Sequence, residues 1–481
     1  MKILLLAPPW GELYGSYRRL TRSLNLNPPL NLAYLAASLI EAGHKVKILD
    51  LEFYPRTRAV IEQTYLEFGP DITGITTTSP VFPAVSRIAE ILSDLGSRVI
   101  LGGPHVSLMR AQIFTDCPKV DFLLAGEAEK TLPRLLDQIV NGTEPDVEGL
   151  VLRGETDHEK DKLPPLVDDL DAIPDPAYPG IDFNQYTWSV KARGKKPART
   201  ITSSRGCPYQ CVFCSINRLT GRKVRFRSPE RVAREIEQAV SSSPVRHIVF
   251  VDDVLTQNKK HIRKIAELLA SKNLPVTWEG DTRADAVDAQ TLKLMARAGC
   301  TRINFGIESG DETILRGLNK KLDLRQVMEA FRWAKEAGMD TRGTAMIGNP
   351  GDTRETMKKT VRFLRNLHWL DQPYLSIAQP YPGTELRRIA LSGESNLRII
   401  PTRLDEMRRY GSAVMHVGDV SPDEMVRIQR NALLKLYLTP RRIWYNIMRS
   451  NIFDGLAMAL GFCISLFSST RKQENSSEAF Q

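Results

Sequence analysis

Hydrophobic and polar positions in the first third of the chain alternate between short apolar runs and longer helical patterns. The apolar runs predict buried parallel strands, because such strands are covered on both faces. They lie at 2–7, 45–51, 72–77, 99–101 and 122–124. The intervening segments place apolar residues on one helical face and predict helices. They lie at 30–42, 57–68, 84–95 and 130–140. We therefore predict a Rossmann-like, doubly wound parallel sheet over residues 1–142.

Residues 143–195 interrupt this pattern. They are rich in proline, aspartate and glycine, and Pro164-Pro165 in particular breaks regular structure. This composition predicts a linker that contains a small hairpin around 149–153.

From 196 to 388 the alternation returns with longer helices. The predicted strands lie at 199–203, 247–252, 277–281, 302–306, 343–347 and 374–379. Helical patterns fill the intervals, for example 229–241, 261–271, 288–298, 324–337 and 354–367. Six βα repeats predict a partial (β/α)6 barrel, a fold class in which reactive groups gather at the carboxyl ends of the strands. Residues 389–481 predict a helical region, and its polar tail over 468–481 predicts disorder.

Composition and charge narrow the class of protein. The chain has 481 residues, of which 42% are hydrophobic and 25% charged, as in soluble globular proteins of two or three domains. The net charge of +10 is spread out and includes no long Lys/Arg tract, so we expect no nucleic-acid partner. The apolar stretch 452–467 contains Asp454 and is shorter than the roughly 20 residues that a spanning helix needs. We expect a cytoplasmic protein without a membrane span.

The C-terminal region mixes basic and apolar residues between 425 and 467, including Arg441, Arg442 and Trp444. Such a segment could lie peripherally on a membrane surface or shape a lid for a lipid-like substrate. The alternative is an amphipathic helix that packs on the barrel.

Three of the six cysteines form the main chemical signal. Cys207, Cys211 and Cys214 follow a predicted strand with the spacing C-x3-C-x2-C. Thiolates are the usual ligands of iron–sulfur clusters, and three of them can hold three irons of a cubane while the fourth iron stays open. The alternatives are a chance cluster and a zinc site, although zinc needs a fourth ligand and the nearest histidine is His247. The remaining cysteines are scattered, which fits a reducing cytosol rather than a disulfide framework.

A Cx3CxΦC motif after the first strand of a six-repeat barrel resembles the radical S-adenosylmethionine (SAM) superfamily. The resemblance implies a 4Fe-4S cluster whose open iron chelates the amino and carboxylate groups of SAM. An electron from the cluster then breaks the C–S bond of SAM and gives a 5′-deoxyadenosyl radical that abstracts hydrogen. It also implies an electron donor such as flavodoxin or ferredoxin.

The same resemblance implies SAM contacts at the ends of the barrel strands. The candidates are Phe213 against the adenine, Asp252 and Asp253 after strand two, Arg283 after strand three, Glu308 and Ser309 after strand four, and Gly348, Pro350 and Gly351 after strand five. A helix cap, a structural salt bridge and a plain turn are the alternatives at strands two, four and five. The alternative for Phe213 is packing behind the cysteine loop, and that for Arg283 is a surface ion pair. No catalytic residue is assigned, and Tyr381 after strand six is a candidate for facing the substrate.

The first domain resembles the cobalamin (B12)-binding domain that precedes the barrel in one branch of this superfamily. The resemblance rests on residues 28–33, 76–80, 102–105 and 126–129. The expected cobalamin contacts are Thr78, Ser79, Gly102, Gly103, Pro104, Gly126 and Glu127. Ligands of open α/β sheets lie beyond the strand ends, where these loops fall.

One departure concerns the cobalt ligand. Many cobalamin proteins supply a histidine after the first strand, but residues 7–12 contain none. Cobalt then lacks a histidine ligand, as in this branch generally, or the domain is vestigial. His105 is expected to bond to the backbone instead.

The resemblance implies a cobalamin-dependent radical SAM enzyme. The commonest reaction in this branch is methyl transfer to an unactivated carbon of a small molecule, including isoprenoid or lipid-like ones. The alternatives are a radical SAM oxidoreductase or cyclase without methyl transfer, and a non-catalytic iron–sulfur or zinc-binding scaffold.

Overall fold

The computed structural model describes residues 1–11, 26–54, 56–154, 165–189 and 194–449. These residues form two successive sheets whose faces are covered by helices. No helix within the described ranges is long and apolar enough to cross a lipid bilayer. The stretches 452–467 and 468–481, for which a short apolar segment and a disordered tail were predicted, lie outside the described residues.

The first sheet has the strand order β2-β1-β3-β4-β5-β6 within the described part of the chain. Its elements are β1 (Lys2–Ala7), α1 (Leu30–Glu41), β2 (Lys45–Asp50), α2 (Thr57–Phe68), β3 (Ile72–Thr76), α3 (Phe82–Asp94), β4 (Arg98–Gly102), α4 (Pro104–Met109), α5 (Ile113–Asp116), β5 (Phe122–Leu124), α6 (Thr131–Val140) and β6 (Leu150–Val151). Strands β1 to β5 are parallel, which confirms the predicted doubly wound architecture. All of β1 after Lys2 is buried, as expected of a strand covered on both faces.

The segment predicted as a linker packs closely on the first domain. Leu150 and Val151, which lie where a small hairpin was predicted, pair antiparallel with β5. The edge of β5 satisfies its backbone hydrogen bonds with this later segment, a pairing that no local pattern encodes. Farther along, Val167, Leu170 and Ile173 are buried against Tyr34.

The second sheet has the order β15-β14-β13-β12-β11-β8-β7. Its elements are β7 (Thr187–Ser189), β8 (Lys195–Ile201), β9 (Ser204–Arg205), α7 (Ile216–Thr220), β10 (Arg225–Phe226), α8 (Pro229–Ser242), β11 (His247–Phe250), α9 (Lys259–Lys272), β12 (Thr277–Thr282), α10 (Ala289–Arg297), β13 (Cys300–Glu308), α11 (Glu312–Gly317), α12 (Leu324–Glu336), β14 (Asp340–Ile347), α13 (Arg354–Asn366) and β15 (Gln372–Ile377). The strands from β8 to β15 in this sheet are parallel and form the predicted partial barrel, while β7 joins β8 as an antiparallel edge.

The C-terminal region is less helical than the sequence pattern predicts. Its described elements are α14 (Glu385–Ser392), β16 (Leu397–Ile399), β17 (Met415–Val417), α15 (Pro422–Tyr437) and α16 (Pro440–Arg449). Strands β16 and β17 pair with each other, which the sequence analysis missed because each has three residues. Met425, Leu433 and Leu436 of α15 belong to the barrel core, so this region packs directly on the barrel.

Candidate active site

The three clustered cysteines lie on a loop that the surrounding elements hold in place. The loop starts after β9 with Gly206, whose φ of +105° suits glycine, and a Cβ there would lie 2.5 Å from the Lys223 carbonyl oxygen. The Val212 amide donates to the Leu318 carbonyl at 3.2 Å, and the Leu386 amide donates to the Val212 carbonyl at 2.7 Å. The backbone of the loop is therefore bonded on both sides to segments that follow later strands.

The cysteine side chains fit an iron–sulfur cluster better than a single zinc ion. Burial raises the pKa of the Cys207 and Cys211 thiols, and it raises that of Cys214 to about 12, so that binding to a metal would have to displace these protons. Across the described ranges, no three His, Cys, Asp or Glu side chains converge closely enough to hold one metal ion. Tetrahedral zinc requires such convergence, whereas a cubane places each thiolate on a different iron.

A charged group on each of two neighbouring strand ends lies beside the cysteine loop. Arg283 is buried, stacks over the Tyr209 ring at 3.7 Å from its centroid and pairs with Asp285 at 2.8 Å. Its Nη1 is buried without a hydrogen-bond partner among the described residues. Glu308 accepts from Lys320 at 2.9 Å and adopts a φ of +68° at a bulge in β13. Strain of this kind at a non-glycine residue is typical of functional sites.

The inward face of the barrel is polar. From Ile303 onward, odd and even positions of β13 face opposite sides: Ile303, Phe305 and Ile307 are buried in the core beneath the helices, whereas Asn304 and Glu308 face the lumen. Neighbouring strands continue this layer, with Asp281 in register with Asn304 and Asn304 in register with Arg342. The lumen can therefore form hydrogen bonds and ion pairs.

Below this layer a buried ion network closes the lumen. Glu279 pairs with Arg302 at 2.8 Å, with Arg342 at 3.6 Å and with His247 Nε2 at 3.3 Å. Burial alone would raise the pKa of Glu279, but the positive charges around it outweigh burial and hold this pKa far below its usual value. The carboxylate therefore stays ionised and anchors Arg342 at the floor of the lumen.

A cavity of about 940 Å³ lies between the carboxyl ends of the two sheets. The cysteine loop contributes Phe213 and Cys214 to its wall, and the first sheet contributes Asn31 and Thr76. The lumen residues that line it are Asp281, Asn304, Glu308, Arg342, Thr344, Tyr374 and Ser376. Cluster, SAM and substrate can share this space because the strand ends of both domains open into it.

A second cavity of about 390 Å³ extends from the first into the N-terminal sheet. Both cavities are lined by Leu30, Asn31, Thr76 and Val251. The walls of the smaller one are mainly aliphatic and include the glycines Gly74, Gly102, Gly103 and Gly126. A Cβ on Gly103 would lie 2.8 Å from the Thr77 carbonyl oxygen, and one on Gly126 would lie 2.5 Å from the Pro165 carbonyl oxygen, so these two glycines allow a close approach of neighbouring backbone segments around the cavity.

The predicted SAM contacts divide into two groups. Phe213 and Glu308 line the larger cavity, Asp253 lines the smaller one, and Arg283 lies beside the cysteine loop. Tyr381 also lines the larger cavity, and its hydroxyl donates to the Met407 carbonyl at 3.0 Å. Burial raises the pKa of the Asp253 carboxyl to about 6.

The other predicted SAM contacts have structural partners in place of a cavity. Asp252 is buried and accepts from the Ser203 hydroxyl at 2.7 Å and the Ser204 hydroxyl at 2.5 Å. Ser309 is fully buried and bonds to Thr360 at 3.1 Å.

The turn after strand five contains Gly348, Pro350 and Gly351. A Cβ on Gly348 would lie 2.5 Å from the sulfur of Met425 on helix α15, so a glycine at this position allows the helix to pack closely against the turn. Within the described part of the chain, neither cavity is lined by Gly348, Pro350 or Gly351. The same is true of Asp252 and Ser309. Asp252 does not cap the following helix, whose N-cap is Asn258. Contact of these five residues with SAM stays a prediction.

The predicted cobalamin contacts divide similarly. Gly102, Gly103, Pro104, Gly126 and Glu127 line the smaller cavity. Thr78 and Ser79 do not line either cavity among the described residues, whereas their neighbour Thr76 lines both.

His105 differs from its expectation in one detail. It is buried and bonds to the Ser79 hydroxyl at 3.0 Å rather than through its ring to the backbone. Burial lowers the pKa of His105 to about 3, which keeps the imidazole neutral.

Apart from Glu308, the lumen residues were not predicted from the sequence. Asn31 was named only as part of the motif 28–33, and its amide donates to the Thr76 hydroxyl at 2.7 Å. A signal for the lumen was present: polar residues occupy most of the alternate positions of β12 to β15, with Gly306 and Met346 as exceptions. Strands buried on both faces normally read as continuous apolar runs. Alternation within a parallel barrel therefore indicates an open, polar interior.

The fold and the site together define an iron–sulfur enzyme on a partial barrel, joined to a Rossmann-like domain with a cavity at its strand ends. Comparison with known families agrees. Residues 201–364 match the radical SAM superfamily, and residues 20–136 match the B12 binding domain. The chain is 31% identical to an uncharacterised methyltransferase of Pyrococcus horikoshii over 458 residues, which cover 94% of this chain and 96% of that protein.

The chain belongs to the cobalamin-binding branch of the radical SAM superfamily. It is an enzyme whose cofactors are a 4Fe-4S cluster, SAM and cobalamin, and its family comprises cobalamin-dependent radical SAM methyltransferases. The confirmed iron–sulfur assignment and enzymatic character exclude the zinc and scaffold alternatives.

Other relatives include a methylase and a cyclase. Hopanoid C-3 methylase of Methylococcus capsulatus is 26% identical, across 85% of this chain and 80% of that protein. Anaerobic magnesium-protoporphyrin IX monomethyl ester cyclase of Cereibacter sphaeroides is 28% identical, across 75% of this chain and 60% of that protein. The structure of the radical SAM methyltransferase TsrM from Kitasatospora setae superposes with a TM-score of 0.70 at 16% identity, covering 98% of this chain and all of TsrM, which shows a shared fold.

Proposed function

We propose that this enzyme transfers a methyl group from SAM, by way of cobalamin, to an unactivated carbon of a small molecule held in the barrel lumen. The observation that carries the proposal is the wall of the larger cavity, which combines Phe213 and Cys214 of the cysteine loop with Asn31 and Thr76 of the first sheet. Reactants bound at both sheets would meet in this one space, as methyl transfer requires.

The cofactors, when bound, would supply an electron, a radical that abstracts hydrogen from the substrate, and a methyl group. The chain's own residues bind and orient them. Cys207, Cys211 and Cys214 would hold the cluster, and Glu308, kept in place by Lys320 at 2.9 Å, would face SAM from β13. The Arg283 guanidinium beside the loop would offset negative charge on the cluster and on the SAM carboxylate.

The reacting part of the substrate is proposed to be polar. Asp281, Asn304 and Arg342 line the lumen below the level of Glu308, and the Oδ1 atom of Asn304 is buried without a partner among the described residues. Apolar side chains of the cavity wall come from both domains, for example Trp10 and Leu26 of the first and Met346 and Ile377 of the second. An isoprenoid or lipid-like substrate is therefore an alternative within this proposal.

Ring formation without methyl transfer is the second candidate, because anaerobic cyclases are among the chain's relatives. For either reaction we propose a flavodoxin- or ferredoxin-type protein as the electron donor. The two candidates differ in whether carbon from SAM enters the product.

The test uses anaerobically reconstituted protein supplied with SAM, hydroxocobalamin and dithionite. Iron, cobalt, 5′-deoxyadenosine and S-adenosylhomocysteine are measured for the wild type and for Cys211→Ala. We expect iron, cobalt and both SAM products from the wild type, and loss of 5′-deoxyadenosine in the variant. Cys117→Ala is the matched control, since Cys117 is buried in the first domain away from the loop and its loss should leave iron unchanged.

The methyl group is followed with SAM labelled by deuterium in that group, using a small-molecule extract of cells that lack the enzyme. A labelled product supports methyl transfer. A new product without label, formed together with 5′-deoxyadenosine, would overturn methyl transfer in favour of ring formation or another oxidation.

A further inference from the structure

The described chain ends in a surface that combines exposed basic and apolar side chains. Leu438 follows α15 and is 62% exposed, and Trp444 on α16 is 66% exposed. Exposed cations flank both of them. We call this set the C-terminal surface: Arg427, Lys435, Leu438, Arg441, Ile443 and Trp444.

The outward orientation of this surface is held by buried contacts on the opposite side of α16. The Arg442 side chain is 3% exposed and donates to the Leu364 carbonyl at 2.8 Å and the Leu436 carbonyl at 2.9 Å. Successive helical residues are turned by about 100°, so Trp444 points away from the side that Arg442 anchors. The Tyr437 hydroxyl, which donates to the Pro373 carbonyl at 2.7 Å, fixes the end of α15 to the barrel.

The charge of this part of the chain is of one sign. Residues 425–453 include six basic residues and no acidic one. Residues 455–467, which follow, contain no charged residue. An exposed tryptophan among aliphatic side chains and cations is the composition of helices that lie in the interface of anionic bilayers.

We propose that the C-terminal surface docks on the surface of an anionic lipid bilayer. Leu438, Ile443 and Trp444 would enter the headgroup region, while Lys435 would contact lipid phosphates. Arg441 pairs with the buried Asp371 at 3.3 Å and would add to the positive potential of the surface. This contact is peripheral and does not depend on the reaction proposed above. Two other occupants, the chain's own segment 452–467 and a second copy of the protein, are outcomes that the experiment separates.

The test is co-sedimentation of the full-length holoenzyme with vesicles of phosphatidylcholine alone or mixed with phosphatidylglycerol. We expect binding to the mixed vesicles that weakens as salt is raised, and little binding to phosphatidylcholine alone. Trp444→Ser should lower the partition coefficient about tenfold, since it removes a large apolar group. Lys435→Glu should weaken binding to the mixed vesicles and reduce its dependence on salt.

Leu66→Ser is the matched control, because Leu66 lies on α2 of the first domain and is 80% exposed. It should bind vesicles as the wild type does. Failure of the full chain to bind mixed vesicles would overturn the proposal. If a chain ending at residue 449 then binds, the segment 452–467 covers the surface. If Trp444→Ser instead dissociates a dimer in light scattering, the occupant is a second copy.

Discussion

The Arg225 guanidinium binds both carboxylate oxygens of Glu127, with 2.7 Å from Nη1 to Oε2 and 2.7 Å from Nη2 to Oε1. Glu127 lies on a loop of the first domain, whereas Arg225 lies on β10, whose partner β9 leads into the cysteine loop. Arg205 of β9 adds contacts to Glu127 at 3.5 Å and to Glu129 at 2.7 Å. These ion pairs hold the cysteine loop against the cobalamin-binding domain.

Glu127→Ala should therefore destabilise the protein strongly. The substitution leaves the Arg225 side chain, which is 3% exposed, as a buried charge without its carboxylate partner. Removing one member of a buried pair costs about 3 kcal/mol or more in the free energy of unfolding, measured by urea denaturation. Glu394→Ala removes an exposed partner of Arg388 and should leave the unfolding midpoint almost unchanged. Equal midpoints for both variants would contradict a clamp between the domains.

Gly206→Ala should impair the cysteine loop. A Cβ at this position would lie 2.5 Å from the Lys223 carbonyl oxygen, and the φ of +105° is strained for alanine. We expect the iron content per chain to fall at least severalfold after anaerobic reconstitution. Gly411→Ala has a positive φ of +69° but nothing within 4 Å of the new Cβ, so it should retain iron. Normal iron in Gly206→Ala would show that the loop tolerates displacement.

Gly102→Leu should block cobalamin without disturbing the cluster. Gly102 lines the smaller cavity, and the nearest atom to a Cβ there is the Leu124 carbonyl oxygen at an ordinary 3.5 Å. Alanine should therefore be tolerated, whereas leucine would fill space assigned to the nucleotide tail. We expect at least tenfold weaker cobalamin binding for leucine in equilibrium dialysis, with iron content unchanged. Retention of cobalt by Gly102→Leu would place cobalamin elsewhere.

Asp50→Asn should change how stability depends on pH. Burial raises the pKa of Asp50 from 3.8 to about 6, although hydrogen bonds from the Glu52 amide and the Tyr186 hydroxyl lower it. A raised carboxyl pKa means that the wild type loses stability as pH rises from about 4 to 6, by at most about 3 kcal/mol. The variant lacks this loss, so it should be more stable than the wild type at neutral pH and similar to it below pH about 4.

Urea denaturation of both proteins across this pH range makes the comparison. Parallel stability profiles would mean that Asp50 titrates at its ordinary pKa. Because Asp50 lines the larger cavity, the same measurement in the presence of cobalamin reports whether the ligand changes its environment.

Much of the fold follows from local patterns. Strands β1 and β5 and helix α2 have the predicted bounds, and the other principal strands of both sheets differ from prediction by a few residues at their ends. The spacing of apolar residues indicates whether a segment is covered on one face or on two. This spacing involves only residues that are close in sequence, so it can be seen without the tertiary structure. The short strands β6, β16 and β17 were missed, because two or three residues are too few to show a period.

The spacing of Cys207, Cys211 and Cys214 after a strand was sufficient to indicate iron–sulfur chemistry, because a cluster ligated from one loop needs its thiolates close in sequence. The sequence by itself also determined the order of two α/β domains, since a parallel sheet requires alternating helices.

Only the tertiary structure decided which polar residues face cofactor space. Asp252 and Asp253 are adjacent, yet one is bonded to Ser203 and Ser204 while the other lines a cavity. Glu127 meets Arg225 across 98 residues. Such contacts depend on side chains from distant segments, whose proximity arises when the two sheets pack with their carboxyl ends together.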